Sequence, residues 1–129
     1  MNIGEISQKA DLPTKTVRYY ADVGLVKPTG RSNAGYRTYD EKALRKLIFV
    51  RRSRAMGFSV QECRKLLSLY EDQGRASSEV REIAKQHLVE INAKLSELNK
   101  LQKELSMLVH SCKGDNRPDC PIIDALGRG

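Results

Sequence analysis

The sequence predicts a mainly α-helical chain: an N-terminal winged helix-turn-helix, a long antiparallel coiled-coil dimerisation helix, and a short tail. Three observations carry that expectation. Short amphipathic segments with helix-start and helix-stop residues fill positions 1–73, the stretch 77–109 contains neither Gly nor Pro, and positions 111–129 turn to Gly, Pro and paired Cys.

Asn2 followed by Glu5 is a capping box, and Ile3, Ile6 and Ala10 fall on one face of the helix it opens. Asp11-Leu12-Pro13 ends that helix. A second begins near Thr14 and runs to Val23, with Gly24 suited to the left-handed residue beyond it. Two short helices joined by a tight turn form a helix-turn-helix. Lys27 to Tyr39 combines Pro28, Gly30, Asn33 and Gly35 with alternating Tyr36-Arg37-Thr38-Tyr39, the pattern of a small hairpin, here a wing. Asp40 caps a third helix carrying Leu44, Leu47, Ile48 and Ala55, and Met56-Gly57 breaks it. Ser59 and Glu62 make a second capping box, and Val60, Cys63, Leu66, Leu67 and Tyr70 define the inner face of a fourth helix.

Gln73-Gly74 is the expected joint between residues 1–73 and a helix over 77–110, roughly 45–50 Å long at 1.5 Å per residue. Ala84, Leu88, Ile91, Leu95 and Leu98 follow coiled-coil spacing, and Leu101, Leu105 and Leu108 resume it after one phase slip. A lone helix cannot bury such a stripe, and four short helices cannot cover its length, so a homodimer is expected. In the tail, 111–129, Pro121 suits the first position of a short helix containing Ile122, Ile123, Ala125 and Leu126.

The formal net charge is +7, with 30% charged residues, which alone decides little. Its distribution is more telling. Residues 1–70 hold 14 Lys and Arg against 6 Asp and Glu, whereas residues 71–129 hold 9 against 10, so the basic character lies in the half expected to face phosphate. On the second helix, Lys15, Arg18, Tyr19 and Tyr20 supply donors for a major groove, although Val17 and one of the two tyrosines are expected to point inward. The wing adds Arg31, Tyr36, Arg37 and Tyr39 against the sugar-phosphate backbone, and Arg51, Arg52 and Arg54 extend the contact. The expected partner is double-stranded DNA. Two His and three Cys offer no arrangement for catalysis, so an enzyme is not expected. The first residues lack a charged leader with an apolar run, and no stretch approaches the roughly 20 apolar residues that span a bilayer; a cytoplasmic location with no membrane association is expected. Three Cys in such a chain favour reduced thiols over a disulfide framework.

The segment IGEISQKADLPTKTVRYYADVGLVKPTGRSNAGYRTYDEKAL, above all its VRYYADVGLV and GYRTY blocks, resembles the N-terminal domain of the MerR family, and SCKGDNRPDCPII resembles its copper-responsive CueR and HmrR branch. The resemblance covers essentially the whole chain. It implies a dimer on a palindrome within an over-long promoter spacer, which the metal-loaded form bends and untwists so that RNA polymerase engages both promoter elements.

Cys112 and Cys120 bracket seven residues. Thiolates are soft ligands that select Cu(I) and related ions, and two suffice for a univalent d10 ion, whereas Zn(II) takes about four ligands. One Cu(I) per chain is therefore expected in a metal-binding loop, with Ag(I) or Au(I) as alternatives. A Zn(II) response, or a redox sensor in which the two Cys form a disulfide, stays open as an alternative reading. By resemblance, the loop lies near the start of the partner's long helix, where Ser77 supplies no thiolate and disfavours divalent ions. Cys63, in register with the core positions of its helix, is read as packing. His110 is a candidate third ligand, weighed against a helix-end histidine that complements the dipole.

Overall fold

The computed structural model describes residues Met1–Arg128 and divides into two compact units, Met1–Val80 and a second beginning at Arg81. The elements run α1 (Ile3–Ala10), α2 (Thr14–Asp22), β1 (Gly30–Arg31), β2 (Arg37–Thr38), α3 (Glu41–Ala55), α4 (Val60–Glu71), α5 (Ser77–Ser111) and α6 (Pro121–Gly127).

Each start in the first unit has a local cause. The Asn2 side chain accepts from the Glu5 N–H while Glu5 reaches back to the Asn2 N–H, and Ser59 with Glu62 repeats this at α4. Asp40 caps α3 through the Ala43 N–H. The α1–α2 turn is made by Asp11 in the left-handed conformation, φ 55°, one of the few non-glycine types that enter it readily. Gly24, φ +73°, makes the equivalent turn after α2. β1 and β2 pair antiparallel, Gly30 opposite Thr38 and Arg31 opposite Arg37.

The core of this unit forms where α1, α2, α3 and α4 meet, around Ile6, Val17, Val26, Leu47, Val50 and Cys63, each fully or almost fully buried. Burying one such aliphatic side chain contributes about 1.5–3 kcal/mol. Along α3, Ala43, Leu47, Val50 and Ser53 are buried, while Leu44 and Ile48 are half-buried and Ala55 is exposed. The polar Ser53 is accommodated because its Oγ donates to the Phe49 carbonyl at 2.8 Å. Tyr70 stays 45% exposed, its ring stacked on Phe49 with centroids 4.5 Å apart.

Two expectations for DNA contact are corrected here. Tyr20 is 5% and Tyr39 2% exposed, so both rings are core residues. Tyr20 lies three positions after Val17, on the inner face of α2. Tyr39 closes the wing onto the domain, its N–H donating to the Met1 carbonyl at 2.8 Å.

In α5, 35 residues span about 52 Å at 1.5 Å each. Leu88, Ile91, Leu95, Leu98, Leu101 and Leu105 are between 37% and 60% exposed. No helix among the described residues is long and apolar enough to cross a membrane.

Candidate nucleic-acid interface and metal centre

The α2 sequence carries Lys15, Arg18 and Tyr19 at spacings of three and four, which puts them on one face, and all three are exposed. No side chain caps α2 at Pro13, and in its first turn the Thr16 N–H donates to the Pro13 carbonyl at 3.0 Å. The wing carries Arg31, Tyr36 and Arg37, with Tyr36 73% exposed at the tip. The two elements converge. Arg18, Arg31, Tyr36 and Arg37 line one hollow of about 670 Å³ together with Asn2 and Asp22.

This hollow is cationic but already partly engaged. Arg37 Nη2 donates to Asp22 Oδ1 at 3.2 Å, and Arg31 Nη1 donates to the Gly35 carbonyl at 2.9 Å, stiffening the hairpin. Asp22 escaped the sequence reading, although it lies four residues after Arg18 and thus on the same face. The hollow does not include Arg54; its Nη1 donates to the Phe58 carbonyl at 2.8 Å across the α3–α4 turn. Tyr39, buried behind the wing, has a hydroxyl that makes no hydrogen bond of good geometry among the described residues, with Arg37 nearby.

At the far end of the chain, Cys112 follows α5 directly, its N–H donating to the Leu108 carbonyl at 3.0 Å, and Cys120 is the N-cap residue of α6 with Pro121 at the first helical position. The loop between them folds back so that the two Sγ atoms lie 3.4 Å apart. Both are half-buried free thiols. The Ile123 N–H, then the Cys112 thiol, hold the Cys120 thiol below its ordinary value, so a thiolate is favoured there. Among the described residues, no third His, Cys, Asp or Glu ligand atom gathers with this pair, His110 included. Cys63 is fully buried, its Sγ 3.9 Å from the Phe58 carbonyl, and burial pushes its thiol up, as for an inert core cysteine. Ser77 opens α5 and is exposed.

The profile described as "MerR HTH family regulatory protein" matches residues 1–70, and that described as "MerR, DNA binding" matches 44–108. The chain belongs to the MerR family. It is similar to the HTH-type transcriptional regulator HmrR of Rhizobium leguminosarum bv. viciae, 54% identical over 129 residues that cover 100% of this chain and 99% of that protein. It is also 41% identical to the regulator CueR of Salmonella typhimurium, over 98% of this chain and 91% of that one. Among solved structures it resembles the transcription regulator PbrR691 of Ralstonia metallidurans CH34 in complex with lead(II), with a TM-score of 0.79 and 37% identity over 98% of each chain. MerR-family proteins are DNA-binding transcription regulators, and the exposed cationic face of α2 and the wing is the part of this chain suited to that task.

Proposed function

We propose that this chain is a MerR-type activator that grips a palindromic promoter operator as a homodimer and responds to Cu(I), or to Ag(I) or Au(I), held by Cys112 and Cys120. The observation that carries the metal reading is the 3.4 Å approach of two thiol sulfurs with no third ligand beside them among the described residues. Two soft sulfurs suit a univalent d10 ion, whereas Zn(II) would lack about two of its usual four ligands. The likeness to PbrR691, solved in complex with lead(II), supports metal response as the general class.

The chain's own groups divide the work. The bis-thiolate site keeps one net negative charge when a univalent ion is bound, and the Ile123 N–H beside Cys120 offsets part of it. Lys15, Arg18, Arg31 and Arg37 neutralise phosphates, Tyr19 and Tyr36 lie against the backbone, and Arg54 contributes charge at the edge. The stripe from Leu88 to Leu105 pairs with its copy in an antiparallel coiled coil, bringing Ser77 of one chain near the other's loop. A cytoplasmic location follows from a promoter partner and RNA polymerase.

Native mass spectrometry of the dimer, titrated with Cu(I) and Zn(II) against a chelator, tests this reading: one Cu(I) per chain retained, and Zn(II) lost, is expected. Equal retention of both ions overturns the univalent preference. The close sulfurs also fit a disulfide switch; reversible loss of two thiols per chain that by itself activates transcription would replace the metal reading with that one.

A further inference from the structure

The last turn of α2 ends on carbonyls that have no partner within the helix. Two of the carbonyls just past it, Val23 O and Gly24 O, accept from a single residue of a distant element. Arg64 of α4 donates Nη2 to Val23 O at 2.9 Å and Nη1 to Gly24 O at 3.2 Å. This is where α2 turns into the strand leading to the wing. The next two residues, Leu25 and Val26, are buried, with their N–H groups tied back to the Tyr20 carbonyl. A planar fork on two successive carbonyls fixes the orientation as well as the distance of what it holds, and a cation at a helix C-terminus is favoured by the dipole.

Just after α4, Arg75 Nη1 donates to the Asp72 carbonyl at 3.1 Å, and the Gly74 N–H donates to Asp72 Oδ1 at 2.9 Å, so the link into α5 is itself braced. The chain path from the helix bearing the cysteine loop to the DNA-facing surface thus passes through α4, and Arg64 is its grip on that surface.

We infer that Arg64 is a positioning residue for DNA distortion: its fork on Val23 O and Gly24 O makes the recognition helix and the root of the wing follow α4. The inference rests on the metal-responsive reading above. A residue that acts in this way couples the metal state to the shape of the bound DNA without touching DNA or metal.

The test uses the full-length dimer on an operator carrying 2-aminopurine at the spacer centre, with Cu(I) as effector. For Arg64→Ala, operator affinity should stay within about threefold, as for a substitution away from the interface. Cu(I) stoichiometry should be unchanged, while the metal-induced rise in 2-aminopurine fluorescence and in transcription should fall about tenfold, a typical coupling factor. Arg64→Lys keeps the charge but not the fork and should recover only part of the response. Wild-type induction in Arg64→Ala overturns the inference. So does a loss of operator affinity and induction in step with a lowered Tm in both variants, which marks a merely structural residue. A wild-type dimer that binds operator but shows no Cu(I)-dependent fluorescence change overturns the metal-responsive reading and the inference with it.

Discussion

Tyr39 shows how a residue's chemistry can be read correctly and its direction missed. Its place in GYRTY close to Arg37 suggested a ring on the DNA backbone, yet the ring is buried and its hydroxyl lacks a well-formed hydrogen bond. Tyr39→Phe should therefore change Tm little, whereas Tyr39→Ala should cost about 3–5 kcal/mol in chemical denaturation, the range for a deleted buried aromatic. Burial is the leading cause that raises both the Tyr39 phenol and the Cys63 thiol above their ordinary values. The unfolded chain then gives up these protons first, so stability is full at neutral pH and declines as pH rises past about 8.5 for Cys63 and about 10 for Tyr39. Thermal melts from pH 7 to 11 should show that decline, and Tyr39→Phe should flatten its upper part. The proposed ligands make a separate prediction. Cys112→Ser and Cys120→Ser should each abolish Cu(I)-induced transcription while leaving operator affinity, measured by gel shift, nearly intact; equal loss of both would refute the division of labour.

At the scale of elements, what was legible in the sequence was what is local. Capping boxes at Asn2 and Ser59, the Asp40 cap, the Gly24 turn and Pro121 all act within a few residues of themselves, and four helices start and one ends where they stand. The inner face of α3 was less legible, because Ala43 and Ser53 are buried by what packs on them and not by their own hydrophobicity. The convergence of α2 with the wing into one hollow, and of two sulfurs eight positions apart in sequence numbering, depends on turns whose geometry no spacing rule fixes. Ser59→Ala should lower stability by about 1 kcal/mol through the lost cap. The apolar stripe of α5 was legible from periodicity alone, and the structure leaves Leu95 and Leu98 more than half exposed on a single chain. Leu95→Glu places like charges on the proposed twofold-related seam, so sedimentation should find monomers at concentrations where the wild type is dimeric, with operator affinity lost alongside.

For the molecule as a whole, charge asymmetry pointed to DNA, but the same formal charge does two different jobs. Arg51 donates to the Ala10 carbonyl at 2.8 Å, Arg64 to Val23 and Gly24, Arg54 to Phe58 and Arg75 to Asp72. These arginines lie on carbonyls at or just beyond the C-terminal ends of α1, α2, α3 and α4, where orphan acceptors and the helix dipole both favour a cation. Part of the positive excess of residues 1–70 is therefore architectural, and counting charges overstates the number of phosphates the domain can neutralise. Salt dependence separates the two populations. The slope of log affinity against log salt changes by about 0.9 for each phosphate contact removed, so Arg18→Ala, present twice in a dimer, should reduce it by about 1.8. Arg51→Ala removes the same formal charge from each chain but leaves the Ala10 carbonyl without its donor; it should lower Tm while the slope stays at the wild-type value. Equal slopes for wild type and Arg18→Ala would mean that Arg18 does not neutralise phosphate, and a reduced slope for Arg51→Ala would mean that its guanidinium exchanges the Ala10 carbonyl for DNA on binding.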